Sequence, residues 1–304
     1  MAIGPHIART MRVIGPLRKI LSFVSRRRAL LLLPAAFALI AAGQPRGYPR
    51  SYADTIAAAR REGTVVVYST TDRHEVVGAL NAFRKRYPFL RVDYRELESP
   101  TLYNRVIAES RARKPTGDLI WSSAMDLQIK LVNDGYAQAY ASPEKPYLPD
   151  WAIWKNEAWG VTAEPVVIAY NKRLVPAKDV PRSHAALERL LRTKAAFYSG
   201  RVSTYDPRLS GFGYLQLTQD YHASRDVMAL VRALGNARVR LHTSSGPLLA
   251  DIESGRSLFA YNALGSYALE LAARNPDIGV VMPSDYTLVV SRIALIAREA
   301  RQPN

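Results

Sequence analysis

The sequence predicts an α/β protein of two lobes, each a mostly parallel sheet flanked by helices, with strands that cross from one lobe to the other. Apolar strands are followed several times by a polar loop and an amphipathic helix, which is the pattern of a parallel sheet. About 260 residues follow the N-terminal leader, enough for two lobes. A long apolar segment at 159–171 suits a crossing strand, although Pro165 argues against a regular central strand there.

The first β-loop-α-β unit occupies 63–98. The strand Thr64 to Tyr68 ends in the polar loop Ser69 to Asp72, and a helix with apolar residues at helical spacing follows. Asp72 and Glu75 form a plausible helix cap, so the loop is either a cap or a ligand-binding loop. In open parallel sheets, ligands bind beyond the carboxyl ends of the strands, where such loops lie.

Similar polar loops follow later strands. The strand at 117–121 ends in Ser122 and Ser123, and the strand at 201–205 leads into a loop that contains Ser210 and Gly211. Further examples are 242–246 and the strand 258–262, which ends at Asn262 before a helix that contains Tyr267. Extended chain at 280–283 and 286–296 is then expected to return to the first lobe.

The N-terminus predicts a secretory signal peptide over 1–43. Residues 1–28 carry seven Lys and Arg and no acidic residue, and a fourteen-residue apolar run follows at 29–42. This run is shorter than the roughly 20 residues that span a bilayer, and small residues near Gly43 suit cleavage there. An uncleaved anchor or a basic tail is the alternative. The export route, Sec or twin-arginine, and the start at Met1 or Met11 stay open.

Composition excludes several classes of site. The chain has no cysteine, which rules out disulfides, thiolate metal sites and cysteine nucleophiles. Its net charge is +16, of which seven charges lie in the leader. The remaining basic residues are scattered, without a nucleic-acid-binding motif, so we expect a solvated basic surface and no nucleic-acid partner.

An exported enzyme that acts on a small anionic substrate is the competing class. None of the five histidines has zinc-ligand spacing, and no nucleophile elbow or phosphate-binding glycine loop is present. His242 beside Thr243 suggests a nucleophilic site, but a polar histidine at a strand end is more often structural. We therefore expect a protein that is not an enzyme.

Several motifs together resemble the periplasmic substrate-binding proteins of ABC importers, in the type II group that takes up ferric iron, thiamine, phosphonates and sugar phosphates. The motifs lie at 66–72, 117–123, 164–171, 210–213 and 259–262. The resemblance implies a first lobe of 44–164 and 283–304, a second lobe of 165–282, and a cleft that closes on the ligand. It also implies a periplasmic monomer without a cofactor, which binds a small-molecule ligand and delivers it to an inner-membrane ABC permease.

The resemblance also implies which residues line the cleft. By position these are Ser69, Thr70, Thr71, Ser122, Ser123, Ser210, Gly211, Asn262 and Tyr267. Hydroxyls and amides at helix N-termini donate hydrogen bonds to oxygen anions, and Glu164 would either accept a ligand hydrogen bond or form a hinge salt bridge.

Ferric binders of this kind carry two adjacent tyrosines where this chain reads 262–267, and the pair is missing. Ferric iron is a hard cation that prefers phenolate and carboxylate oxygens. We therefore favour a small organic anion, a class that includes phosphorylated ligands, over iron, for which Tyr267, Tyr286 and Asp285 are the candidate ligands. Resembling proteins also continue past the position of Asn304, so a shortened C-terminus that exposes part of the first lobe's core is expected.

Overall fold

Two mixed sheets, each flanked by helices, organise residues 44–304, which are the residues that the computed structural model describes. The predicted signal peptide at 1–43 lies outside the described residues. The α/β class and the two-sheet architecture are confirmed. Among the residues from 44 onwards, no helix is long and apolar enough to cross a membrane.

The first sheet has the strand order β2-β1-β3-β12-β5-β4. Its elements in chain order are α1 (Tyr52–Glu62), β1 (Thr64–Ser69), α2 (Arg73–Arg86), β2 (Arg91–Glu96), α3 (Ser99–Arg111), β3 (Leu119–Ser122), α4 (Met125–Asn133), β4 (Ile153–Trp154), β5 (Ala158–Gly160) and, near the C-terminus, β12 (Ile293–Ile296). We call this sheet with its helices the first lobe.

The second sheet has the order β10-β6-β9-β7-β8, and β11 pairs with the start of β6. Its elements are β6 (Glu164–Asn171), α5 (His184–Thr193), α6 (Ala195–Tyr198), β7 (Val202–Tyr205), α7 (Gly211–Ala223), α8 (Val227–Asn236), β8 (Arg240–His242), α9 (Ser245–Glu253), β9 (Phe259–Leu264), α10 (Gly265–Arg274), β10 (Ile278–Val281) and β11 (Val289–Val290). We call this sheet with its helices the second lobe.

The sheets are less parallel than predicted. Pairing is parallel across β2-β1-β3 and across β8-β7-β9, and the remaining pairs are antiparallel. The physical reason is the crossing of the chain between the sheets, because β6 and β12 are the strands that enter from the other lobe. In the first sheet β12 runs opposite to β3 and β5, and in the second sheet β6 runs opposite to β9 and β10.

The expectation that Pro165 excludes a central strand was wrong. Pro165 is the second residue of β6, whose later residues pair with β10 on one side and β9 on the other. The proline pairs only with Val289 of the short β11, and pairing with β9 begins at Val166. A proline is tolerated at the start of a strand because few ladder hydrogen bonds are lost there.

The chain passes between the sheets twice, and these passages place the site. Residues 161–163 connect β5 of the first sheet to β6 of the second, and residues 291–292 connect β11 to β12. On either side of the passages each lobe has its own apolar core. Ile120 and Leu131 are fully buried in the first, and Phe259 and Leu248 in the second. Each such side chain contributes about 1.5–3 kcal/mol to stability.

The first lobe has an apolar groove of about 380 Å³, and the last residues, Gln302 to Asn304, are among those that line it. Val67, Leu80 and Trp121 form part of its walls. The shortened C-terminus expected from the sequence stays a prediction.

Candidate ligand-binding cleft

A cleft lies between the two lobes, at the carboxyl ends of the parallel strands of both sheets. Its lining is mostly polar and comprises Thr70, Asp72, Glu98, Ser99, Ser123, Tyr205, Ser210, Phe212, Thr243, Ser244, Ser245, Leu264, Tyr267 and Arg292. Ligands of open α/β sheets bind in this position.

Six helices begin at the cleft: α2, α3 and α4 from the first lobe, and α7, α9 and α10 from the second. Each is at least nine residues long. The first backbone N–H groups of a helix have no partner within the helix, and the helix dipole adds about half a positive charge at that end. The convergence of these helix ends makes the cleft favourable for an anion.

The two hydroxyl-rich loops of the first lobe are joined to each other. The Thr70 hydroxyl donates to Ser122 Oγ at 3.2 Å, and the Ser123 amide donates to Thr70 Oγ1 at 3.3 Å. Ser69 Oγ accepts the amide of Thr71 at 3.1 Å. Ser69 and Ser122 are buried and hold the loops in shape, whereas Thr70 and Ser123 line the cleft.

A buried ion pair lies beside the cleft, and its arginine lines the cleft. Arg292 Nε donates to Glu164 Oε1 at 2.9 Å, and the two side chains are 6% and 7% exposed. Nη1 of Arg292 donates to the hydroxyl of Thr71. Arg292 lines the cleft, so its guanidinium presents positive charge there and is held by contacts on its other edges. A planar guanidinium suits two-point recognition of carboxylates and phosphates.

Both carboxylate oxygens of Glu164 accept further hydrogen bonds. The Thr162 hydroxyl donates to Oε1 at 2.7 Å, and the Ser266 hydroxyl donates to Oε2. Of the two roles predicted for Glu164, the observed contacts match the hinge salt bridge, because the carboxylate supports Arg292 from the side away from the cleft.

The lobes are closed on one another around the cleft. The amide of Asp72 donates to the Tyr267 hydroxyl at 3.2 Å, and the Thr243 hydroxyl donates to Glu98 Oε1 at 3.2 Å. The cavity between them is about 30 Å³, which is the room of about one water molecule. A ligand of several non-hydrogen atoms therefore requires the lobes to separate and then close again.

Gly211 lies where the lobes touch. A Cβ added at this position would be 3.0 Å from Leu127 Cδ1 and 3.0 Å from Ser99 Cβ, both in the first lobe. The structure thus places Gly211 as a point of close approach between α7 and the first lobe. Ser210 beside it lines the cleft, and its oxygen accepts the amide of Gly213 at 3.1 Å as the α7 cap.

Three of the predicted residues lie in a different cluster. Asn262 has a φ of 59°, and its side-chain amide donates to Asp220 at 2.6 Å. Tyr286 donates to the same carboxyl group at 3.1 Å and stacks on His184, which contacts Asp285 at 2.8 Å. Asp220 and Asn262 are buried in the second lobe, whereas Asp285 is exposed, and none of Asn262, Tyr286 and Asp285 lines the cleft with Tyr267.

Of the two tyrosines named as candidate iron ligands, Tyr267 lines the cleft and Tyr286 does not. Burial raises the pKa of its phenol, an effect that Arg292 partly offsets. The guanidinium carbon of Arg292 lies 5.4 Å from the centre of the Tyr267 ring. A neutral phenol is a hydrogen-bond donor for an anion. Within the described residues, no group of three His, Asp or Glu side chains is arranged to hold a metal ion.

His242 contacts both a carboxylate and a hydroxyl, but not in the geometry of a catalytic triad. Its Nε2 lies 3.1 Å from Asp251 Oδ2 and 3.4 Å from Ser203 Oγ. In a triad the carboxylate and the nucleophile occupy opposite nitrogens of the imidazole. Both partners of His242 contact the same nitrogen, which fits a structural histidine.

The structure adds cleft residues that the sequence analysis did not select. Thr243 and Ser244 precede α9 and Ser245 is its first residue. They show the same strand-loop-helix pattern as the selected loops, so the pattern was sufficient to find them. Asp72 was assigned to a helix cap, but its side chain makes no cap hydrogen bond. Arg292 had no local signal, because it lies in a short connection after β11.

Fold and site together define a two-lobed α/β protein with a cleft between its lobes where helix N-termini converge. Neither the protein-family models nor the curated proteins gave a match. A solved substrate-binding protein of an ABC transporter from Agrobacterium tumefaciens is 38% identical, over 79% of this chain and 71% of that chain, with a TM-score of 0.77. The chain therefore belongs to the substrate-binding proteins of ABC transporters, as the sequence resemblance predicted.

More distant structures share the fold. Iron-bound HitA from Pseudomonas aeruginosa is 19% identical, over 79% of this chain and 77% of that chain, with a TM-score of 0.65. AfuA from Actinobacillus pleuropneumoniae, solved with exogenous fructose-6-phosphate, is 18% identical over 80% and 76% of the two chains, with a TM-score of 0.65. At these identities the likeness concerns architecture alone.

Proposed function

We propose that this protein captures a small organic anion between its two lobes and delivers it to an inner-membrane ABC permease. The observation that carries the anion class is the buried guanidinium of Arg292, which lines a cleft where six helices begin. A full positive charge fixed by Glu164 and Thr71 gives the anion a defined anchoring point. Hydroxyls and helix N-termini supply further hydrogen-bond donors to the anion, and the cleft also contains the carboxylates of Asp72 and Glu98.

The predicted class of ligand includes phosphate monoesters, phosphonates and small carboxylates. A doubly charged phosphate group suits this site because it gains both from the guanidinium and from the helix ends. Positive charge at Arg292 and at the helix N-termini opposes a cation such as ferric iron. The cleft carboxylates Asp72 and Glu98 reduce that effect but do not supply the phenolate pair that iron prefers. AfuA was solved with a sugar phosphate and HitA with iron on the same fold, so the fold alone does not decide between the two kinds of ligand.

Membership of this family supports export of the chain and interaction with a permease. We propose that residues 1–43 direct the chain to the periplasm and are removed near Gly43, and that a monomer then contacts its permease. The protein acts by binding and not by turnover, a view supported by the non-triad contacts of His242.

Thermal unfolding in the presence of candidate ligands tests the proposal. A ligand that binds only the folded protein raises the melting temperature, by an amount equivalent to about 2.7 kcal/mol at a concentration of 100 times its Kd. The panel contains glycerol 3-phosphate, a phosphonate, lactate and ferric citrate, with sodium chloride at matched ionic strength as control. A shift with organic anions alone supports the proposal. A shift with ferric citrate alone, accompanied by the colour of a ferric-tyrosinate complex, would show an iron receptor instead.

A further inference from the structure

Asp72 occupies an unusual position for a residue that precedes a helix. It directly precedes α2, yet its carboxylate makes no hydrogen bond with the amides of that helix. The residue lines the cleft together with Arg292 and Tyr267, and its own amide donates to the Tyr267 hydroxyl at 3.2 Å. The backbone amide of Asp72 is thus hydrogen-bonded across the cleft. The side chain of Asp72 does not cap α2.

One oxygen of this carboxylate is buried without a partner. Oδ2 of Asp72 has no aligned hydrogen bond among the residues that the structure describes. It approaches α9 where Gly246 leaves space, since a Cβ added there would lie 3.2 Å from it. A buried acceptor without a donor is unfavourable, and more so when it carries charge.

The surroundings of Asp72 disfavour the ionised form of its carboxylate. Burial raises its pKa, and the negative charge of Glu96 raises it further. His74, Arg292 and the nearby Gly246 amide oppose this effect but do not cancel it. A hydrogen-bond donor supplied from the cleft would satisfy the oxygen.

We infer that Asp72 selects ligands that carry a hydrogen-bond donor, a hydroxyl or an ammonium group, close to their anionic group. The inference rests on the proposed function, in which Arg292 anchors the anion. The donor then meets Oδ2 of Asp72 as the lobes close. An anion of the same size without a donor leaves the carboxylate unpaired and adds a second negative charge beside it, so the site rejects it.

Matched ligand pairs test this selectivity by calorimetric titration of the purified protein. The pairs are glycerol 3-phosphate against propyl phosphate, and lactate against propionate, which differ in the presence of hydroxyl groups. For at least one pair, the hydroxylated member is expected to bind at least tenfold more tightly, because a site built to bond a polar group discriminates strongly against its absence.

Asp72→Asn provides the decisive comparison. It removes the charge and keeps the shape, so the preference should fall to about threefold or less through better binding of the donor-free member. Asp126→Asn is the matched control, since Oδ1 of Asp126 is likewise buried without a partner among the described residues but lies outside the cleft. The preference should be unchanged in that variant.

The outcomes separate the inference from the proposed function. Equal affinity for both members of each pair, or an unchanged preference in Asp72→Asn, would overturn the role of Asp72 and leave anion capture standing. If none of these anions binds and only ferric citrate does, the proposed function itself fails, and the inference fails with it.

Discussion

Removal of the charge of Glu164 should destabilise the protein strongly, because it leaves the guanidinium of Arg292 buried without a counter-charge. Both side chains are less than a tenth exposed, and Nε and Oε1 are 2.9 Å apart. For charge centres about 4 Å apart at an effective dielectric constant of 20, the Coulomb energy is about 4 kcal/mol. Breaking a buried pair typically costs 3–5 kcal/mol.

The test is urea unfolding of Glu164→Gln, followed by tryptophan fluorescence and analysed for an unchanged m-value. We expect a loss of about 3–5 kcal/mol, equivalent to a fall in melting temperature on the order of 10 °C. Addition of glycerol 3-phosphate should restore more stability to the variant than to the parent, because the bound anion replaces the missing negative charge.

Glu188→Gln is the matched control for this prediction. Glu188 pairs with Arg192 at 3.0 Å on the surface of α5, where the arginine is 64% exposed. Its loss should change stability by less than about 0.5 kcal/mol. If Glu164→Gln also loses less than about 1 kcal/mol, the description of a buried, mutually dependent pair is incorrect.

Three further predictions concern closure and pH. Gly211→Val should keep the lobes apart, since its Cβ alone would meet two side chains at 3.0 Å, and should weaken anion binding at least tenfold, as measured by titration. Burial and a hydrogen bond with Glu270 raise the pKa of Glu75 to about 7, so stability from this group is present below its ordinary value of 4.5 and declines as the pH rises towards 7. Glu75→Gln should abolish that decline in melting temperature. A hydrogen bond from Lys194 lowers the pKa of Asp179, so the stability that this group contributes is present above about pH 4 and is lost on acidification. Asp179→Asn should therefore reduce the melting temperature at pH 7 but not at pH 2.

A control or a contradicting outcome can be stated for each of these three predictions. Gly235→Ala adds a Cβ where no atom lies within 4 Å, so it should leave binding intact, and a Gly211→Val protein that binds normally would remove the argument for close approach. Melting curves of Glu75→Gln that parallel the parent from pH 4 to 8 would show that the carboxyl group titrates normally. Equal loss of stability at both pH values would refute the charge-based account of Asp179.

The sequence was sufficient to predict the parts of the site that depend on local pattern. Thr70 and Ser123 lie at strand ends before helices, and parallel pairing of β1 with β3 brings these ends together. The same logic extends to Ser210 at the start of α7. In such cases the spacing of the apolar residues and the position of the polar loop determine where the cleft residue lies in the fold.

Other parts depend on tertiary contacts that no local pattern encodes. Asp72 has the sequence features of a helix cap, but closure of the lobes brings Tyr267 and Gly246 to it. Asn262 lies at the end of a strand, as predicted, but its positive φ and the carboxylate of Asp220 hold its side chain within the second lobe. Arg292 is 128 residues from Glu164 in sequence, and only the double passage of the chain between the sheets pairs them.

The most direct test of the central claim is the affinity for glycerol 3-phosphate of the parent protein and of Arg292→Lys, measured by calorimetric titration at one ionic strength. Lysine keeps the charge but not the planar fork, so binding should weaken at least tenfold, while Arg192→Lys on the exposed surface of α5 should bind like the parent. Equal affinity in the parent and in Arg292→Lys would contradict the account, because the anion would then be bound elsewhere than at the buried guanidinium.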